Sequence, residues 1–101
     1  MFKAVILLSR RDDMTREEFR RWWTEEHAPL ARALPGLRRL VFNVVSDADA
    51  PYDGVSELWF DSREAFDAAY ATEHGKAVAA DSMANVKGRV RLPVEELPQV
   101  G

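Results

Sequence analysis

The segment FKAVILLS at residues 2–9 is rich in aliphatic and β-branched side chains, which is typical of a β-strand. Successive side chains of a strand point to opposite faces of its sheet. Here Ala4 and Ile6 fall on one face and Val5 and Leu7 on the other, so both faces are apolar. The segment therefore predicts a strand that other parts of the structure cover on both sides.

A helix is predicted to follow this strand, beginning at about Arg16. Thr15 and Glu18 have the spacing of a capping box, in which each side chain accepts a hydrogen bond from the other residue's backbone N–H. Apolar side chains then recur at helical spacing, and Phe19 and Leu30 lie near the centre of the apolar stripe. This stripe predicts the face of the helix that is buried against the sheet.

The middle of this helix has an unusual composition, because two tryptophans, a histidine and a proline occur within residues 22–29. Trp22 and Trp23 are about 100° apart on a helix and cannot share one environment. We expect Trp23, on the side of His27, to line a cleft, and Trp22 to pack against the sheet or a partner. Pro29 lacks a backbone N–H, so a break or bend is expected between residues 26 and 30.

The rest of the chain predicts three more strands and two more helical segments, separated by turn-forming residues. The strands are expected at residues 37–46, 54–60 and 85–94, one helix after a cap at Asp61, and a shorter helix at about residues 73–83. The resulting order is β-α-β-β-α-β. It predicts an α+β ferredoxin-like fold, in which both helices cover one face of a four-stranded antiparallel sheet. Residues 1–101 are too few for a second domain.

The second face of this sheet is expected to be apolar and uncovered in a monomer. Val41 and Phe42 point to opposite faces of their strand, as do Leu58 and Trp59, so apolar side chains occur on both sides. A large exposed apolar face promotes aggregation, and pairing two sheets about a two-fold axis covers it. Burial at roughly 25 cal/mol per Å² would contribute several kcal/mol, and we predict a homodimer.

Composition excludes several classes of partner and chemistry. The net charge is -3, and acidic residues lie among the basic pairs, so nucleic acid is not expected to be a partner. No cysteine is present, and the two histidines lack metal-ligand spacing, so no metal site is predicted. The N-terminal apolar run is too short to span a membrane and lacks a signal-peptide cleavage site. We expect a cytoplasmic protein without membrane partners.

Two sets of motifs carry a family resemblance. The first is W-x-x-x-H-A-P-L at residues 23–30 with L-P-G-L at 34–37, and the second is Y-D-G at 52–54 with E-L-W-F-D at 57–61. Together they resemble the EthD family, named for ethyl tert-butyl ether degradation. The resemblance implies the dimeric α/β-barrel superfamily and a cleft between helices and sheet for small, mostly apolar molecules. Related barrels bind haem there through a histidine, but nothing in this sequence requires haem, and we predict no cofactor.

His27 is the predicted catalytic residue, because an imidazole beside a tryptophan titrates in the useful range and can polarise a carbonyl or phenolate. The alternative is that it bonds a backbone carbonyl left free by Pro29. His74 is expected to have a surface or capping role. The predicted ligand-binding residues are expected to lie in the cleft, in the loop that covers it or beside His27. They are Phe19, Trp23, Leu30, Tyr52 and Asp81, the last as a partner carboxylate for His27.

These features predict a small cofactor-independent enzyme that acts on an apolar, cyclic or aromatic carbonyl compound. His27 would move a proton or stabilise an enolate, while aromatic side chains hold the ring. Proton transfer, decarboxylation and cofactorless oxygenation all fit this arrangement, and the family resemblance covers proteins of oxygenase pathways and fungal polyketide decarboxylases. The alternative function is a non-catalytic binding or carrier protein for a small apolar metabolite in the same cleft.

Overall fold

The chain folds in the predicted β-α-β-β-α-β order. The structure, a computed structural model, describes all of residues 1–101. Its elements are β1 (Phe2–Arg10), α1 (Arg16–Arg21), a π-helical turn (Trp22–His27), α2 (Ala28–Arg32), β2 (Arg39–Val44), β3 (Gly54–Phe60), α3 (Arg63–Ala71), α4 (Glu73–Asn85) and β4 (Val86–Val94). The strands pair antiparallel in the order β2-β3-β1-β4. This confirms the predicted ferredoxin-like α+β fold.

The pairing register separates a helix-covered face of the sheet from an open face. Ile6 lies between Ser56 on β3 and Arg91 on β4, and all three belong to the helix-covered face. The core lies between this face and the helices. Its largest fully buried side chains are Trp23, Phe19, Phe60, Phe66, Leu8 and Leu58.

The open face of the sheet combines an apolar region with a charged end. Val90 and Leu92 on β4 are 37% and 42% exposed. At the other end, Lys3 forms an ion pair with Glu57 at 2.9 Å and lies over the ring of Trp59. The apolar region is therefore smaller than the alternation of apolar residues predicts, because part of the face is occupied by ion pairs.

The helix starts follow the predicted chemistry with one correction. The capping box is confirmed, since Glu18 N–H donates to the Thr15 hydroxyl and Thr15 N–H donates to the Glu18 carboxylate. The cap of α3 is Ser62, whose hydroxyl accepts from Ala65 N–H, so the prediction of Asp61 was wrong by one residue. Asp61 lies one residue outside the capping position and is exposed. None of the helices is long and apolar enough to cross a lipid bilayer.

The interruption predicted near Pro29 takes the form of the π-helical turn. Ala28 N–H donates to the Trp23 carbonyl five residues earlier, while His27 and Ala28 keep right-handed helical dihedral angles. Pro29 lies in the first turn of α2, where its missing N–H costs little. The interruption therefore begins at Trp22, upstream of the predicted site, and the chain stays helical to Arg32. A π turn brings residues five apart onto one side, and the rings of Trp22 and His27 are 5.1 Å apart.

Candidate functional site

A small cavity lies in the centre of the molecule, between the sheet and the helices. Its free interior, taken as the space open to the centre of a water molecule, is about 20 Å³, enough for about one water. Apolar side chains from β1, β2, the π turn, α2 and α4 form most of the wall. The polar side chains that line it are His27, Ser56, Tyr70, Ser82 and Arg89.

His27 and Asp81 form a hydrogen-bonded pair at this cavity. His27 Nδ1 lies 2.8 Å from Asp81 Oδ2, across 54 residues of sequence. The His27 side chain is 8% exposed and that of Asp81 is 29% exposed. A carboxylate only accepts hydrogen bonds, so the shared proton belongs to Nδ1 of His27, and Nε2 carries the lone pair of the neutral ring. His27 therefore bonds to Asp81, rather than to a backbone carbonyl near Pro29.

The electrostatic surroundings keep His27 neutral. Burial is the main cause that lowers its pKa below the ordinary value of 6.5, and the positive charge of Arg89 acts in the same direction. The hydrogen bond and the charge of Asp81 oppose this shift. A neutral imidazole with Nδ1 held by a carboxylate has Nε2 available to accept a proton, which is the state that a general base needs.

Aromatic rings form one wall of the cavity. Trp23 is fully buried, and its ring stacks on Phe42 at a centroid distance of 4.1 Å and an interplanar angle of 3°. Gly54 permits this packing, because a Cβ at this position would lie 2.7 Å from Trp23 Cη2. The His27 ring lies 6.4 Å from the Phe42 ring at an interplanar angle of 20°. The Phe42 ring is thus nearly parallel to the rings of both Trp23 and His27, and the stack forms one side of the cavity.

Four polar side chains of the cavity were not predicted as site residues from the sequence: Ser56, Tyr70, Ser82 and Arg89. The alternation of side chains along β4 could have identified Arg89 as a residue of the helix-covered face. Because Gly88 and Val90 alternate with it, Arg89 had to lie on the opposite face of the strand, among the helices. Tyr70 lies on α3, where burial raises the pKa of its hydroxyl and the charge of Arg89 acts to lower it.

Phe19 and Leu30 do not line the cavity, which corrects their prediction as ligand-binding residues. Phe19 is 1% exposed and packs against Trp23 at a centroid distance of 5.4 Å, so it supports the aromatic wall from within the core. Leu30 packs at the edge of the core. Its carbonyl lies 2.7 Å from His74 Nε2, which satisfies a carbonyl at the end of α2. The cap of the helix that contains His74 is Thr72, so His74 contacts the end of a different helix.

Tyr52 also lies outside the cavity lining, because its loop is fastened to the end of β1. Asp53 N–H donates to the Leu8 carbonyl at 2.8 Å, and Arg10 forms an ion pair with the Asp53 carboxylate at 3.1 Å. The loop therefore packs against the sheet instead of closing over the cavity. Asp81 reaches the site through His27, whereas Trp23 lines the cavity directly.

The cavity beside His27 is too small to hold a haem in this structure. A cavity with room for about one water cannot hold a macrocycle without extensive repacking. No group of three or more His, Cys, Asp or Glu side chains is placed to hold a metal ion.

Comparisons with known proteins agree with this architecture. An EthD family protein from Bacillus halodurans C-125 is 26% identical, with 96% of this chain and 100% of that chain covered and a TM-score of 0.83. A dimeric ferredoxin-like protein of unknown function from Bacteroides fragilis NCTC 9343 is 15% identical, with 94% and 95% covered and a TM-score of 0.74. An antibiotic biosynthesis monooxygenase is 18% identical, with 97% and 100% covered and a TM-score of 0.69.

The curated proteins contain no match to this sequence. The model of the EthD domain matches residues 11–86, which include both His27 and Asp81. This match covers most of the chain and agrees with the fold and with the predicted motifs. The chain belongs to the EthD family.

Proposed function

We propose that this protein is a cofactor-independent enzyme that transfers a proton on a small, mostly apolar, cyclic or aromatic carbonyl compound. The observation that carries the proposal is the hydrogen-bonded pair of buried His27 and half-buried Asp81 at a cavity with an aromatic wall. The structural similarity to an antibiotic biosynthesis monooxygenase supports the proposal in one respect, since it indicates that this fold can hold an active site.

The first chemical step is removal of a proton from the carbon next to the carbonyl group. His27 Nε2 accepts this proton, the C–H bonding electrons become the enolate double bond, and the carbonyl oxygen takes the negative charge. Asp81 stabilises the imidazolium that forms, because its carboxylate holds Nδ1–H at 2.8 Å. The hydroxyl groups of Ser56, Ser82 and Tyr70 are donors available to the enolate oxygen.

The same imidazolium returns the proton in the second step. In a conjugated substrate, delivery to the far carbon of the dienolate gives an isomer. When the imidazolium first exchanges its proton with water, delivery to the original carbon leaves a hydrogen from solvent there. The reactive carbonyl group of the substrate would lie beside His27, next to the stacked rings of Trp23 and Phe42. Both steps use only side chains of the protein, so no cofactor is required.

The test measures deuterium uptake from D2O at the carbon next to the carbonyl group of a ketone probe. Suitable probes are 2-tetralone and 3-(2-oxocyclohexyl)propanoate, which differ in charge, followed by proton NMR. We expect the protein to accelerate exchange and His27→Gln to lose about a hundredfold or more of that rate, the range typical of a general base. His74→Gln is the matched control and keeps the rate, because His74 bonds a backbone carbonyl.

A non-catalytic binding or carrier function is the second candidate. Most of the side chains that line the cavity are buried, which favours this function because a carrier must shield its ligand from water. A carrier gives no exchange with any ketone probe, and its His27→Gln variant keeps its affinity for bound ligands. Exchange that depends on His27 rejects this alternative.

We also propose that the protein forms a homodimer through the open face of the sheet. Val90 and Leu92 are exposed on that face of β4. The similar protein from Bacteroides fragilis is dimeric. The helix-covered site of each subunit would remain separate from this interface.

A further inference from the structure

Arg89 is a half-buried cation that the protein itself leaves without a counter-ion. It lines the cavity together with His27, and its Nε atom is buried with no hydrogen-bond partner. None of the ion pairs of the protein includes Arg89. By contrast, Arg10 and Arg38 both pair with carboxylates. A guanidinium that is removed from water without a paired anion is unfavourable, so its place at the site calls for a function.

The charge of Arg89 discriminates between neutral and anionic ligands. Burial lowers the pKa of its guanidinium, but arginine stays protonated in proteins. A neutral ligand that fills the cavity displaces the remaining water and increases the cost of the buried charge. An anionic ligand offsets that cost through charge-assisted hydrogen bonds.

We propose that the ligand of this site carries a carboxylate, which Arg89 binds through its Nε–H and an adjacent Nη–H. These two donors lie in one plane and match the two oxygens of a carboxylate. The proposal rests on the proposed function in placing the reactive carbonyl group beside His27, but it concerns binding and not proton transfer. It defines the substrate class as an aromatic or cyclic keto acid.

The apolar ring system of such a ligand, its body, needs more space than the small cavity offers. Tyr70 lines both this cavity and an open groove of about 520 Å³ between α3, α4 and β4. The floor of that groove includes Ala79, Ala80 and Met83. A movement of the Tyr70 side chain would join the two spaces, so the ligand's apolar body fits in the groove.

Arg91 shares the strand and the helix-facing side with Arg89 but lies at the mouth of the groove. It is exposed, and its guanidinium packs over the Tyr70 ring at 5.2 Å. Arg91 therefore belongs to the groove wall, and the matched control is Lys87 on the same strand, which is exposed, pairs with Asp12 and lines neither the cavity nor the groove.

The experiment compares 1-naphthoate with its neutral analogue 1-naphthamide by NMR titration of the full chain. We expect naphthoate to bind at least about tenfold more tightly, since a charge-assisted hydrogen bond contributes this much. The Arg89 Nε–H signal should shift with naphthoate and not with naphthamide. Arg89→Gln should lose the preference, while Lys87→Gln should keep it.

Three outcomes overturn the proposal: equal affinity for the two probes, a preference that persists in Arg89→Gln, or an Arg89 Nε–H signal unmoved by millimolar naphthoate. Arg89→Lys keeps the charge and serves if Arg89→Gln fails to fold. It should bind naphthoate more weakly than the natural protein but still favour it over naphthamide, and loss of all preference in the folded lysine variant contradicts the proposal. The His27→Gln variant should keep the preference, so failure of the proton-transfer function is distinguished from failure of this inference.

Discussion

His27 links the protonation state of the site to the stability of the fold. Its pKa is lowered in the folded protein, mainly by burial, so the unfolded chain binds a proton at a pH where the folded protein does not. The folded protein is therefore most stable, as far as His27 is concerned, above the ordinary pKa of 6.5. Its free energy of unfolding decreases as the pH falls from there towards the lowered pKa. We expect this decrease in the natural protein and a smaller one in His27→Gln. Urea denaturation at about pH 7.5 and about pH 5.5 measures it. Identical decreases in both proteins would contradict the lowered pKa.

Gly54 is required by the aromatic wall. A Cβ there would approach Trp23 Cη2 to 2.7 Å and Phe19 Cζ to 3.1 Å, and both rings are fixed in the core. We expect Gly54→Ala to lower the free energy of unfolding by about 2 kcal/mol, as overpacking of a core does. Gly88→Ala is the control, because its Cβ would meet only Ser9 at 3.5 Å. Equal effects of the two substitutions in urea denaturation would show that the wall tolerates the extra methyl group.

The sequence located part of the site and missed the rest for physical reasons. His27 and Trp23 were predicted from helical spacing and family motifs, and both line the cavity. Asp81 was predicted as a partner carboxylate for His27, and it is hydrogen-bonded to that residue outside the cavity lining. Leu30 and Tyr52 were misplaced, because helical phase and loop composition do not show which way a segment packs. Contacts between distant elements, such as those of Arg89, depend on the assembled sheet.

At the scale of the elements, the capping box of α1 fixes the start of the helix that carries His27. Thr15→Ala removes a hydroxyl that accepts from Glu18 N–H, and we expect a loss of about 1 kcal/mol. Thr24→Ala is the control within the π turn, where the hydroxyl donates to the Arg20 carbonyl on the exposed side. Thermal unfolding followed by circular dichroism compares them. A Thr24→Ala effect as large as that of Thr15→Ala would contradict the assigned role of the cap.

The π turn shows what a local pattern can and cannot predict about an element. Pro29 indicated an interruption, because it lacks a backbone donor. The form of that interruption depends on burial of Trp22, Trp23 and His27 on one side of the helix, which requires the five-residue spacing of the π turn. A single proline cannot show whether the chain breaks or widens its turn. The cap of α3 was similarly ambiguous, since Asp61 and Ser62 are both good capping residues.

At the scale of the whole molecule, hydrophobic alternation predicted all four strands within two residues of their observed ends. This was possible because the β-rich segments are short, apolar and separated by strong turn residues. The order of elements then restricted the topology to the ferredoxin-like fold. The open face was harder to predict, because Lys3, Glu57 and Arg39 form charged contacts around Trp59 that alternation alone does not reveal.

The proposed homodimer depends on the apolar part of the open face. Leu92 is 42% exposed there, and a charge in the centre of a two-fold interface would be buried against its own copy. We expect sedimentation velocity to show a dimer for the natural protein and a monomer for Leu92→Glu. Leu97→Glu, which changes a 66% exposed residue beyond β4, should remain dimeric. A natural protein that sediments as a folded monomer at micromolar concentration would contradict the proposal.

The whole account depends on the protonation state of His27, and nitrogen-15 NMR of the histidine rings measures it directly. At neutral pH we expect a neutral ring with its proton on Nδ1, held by Asp81, and an unprotonated Nε2. The ring should titrate with a pKa below the ordinary value of 6.5. Asp81→Asn should disturb the tautomer while leaving the signals of His74 unchanged. A His27 ring that is doubly protonated at neutral pH, or that carries its proton on Nε2, would contradict its role as the general base.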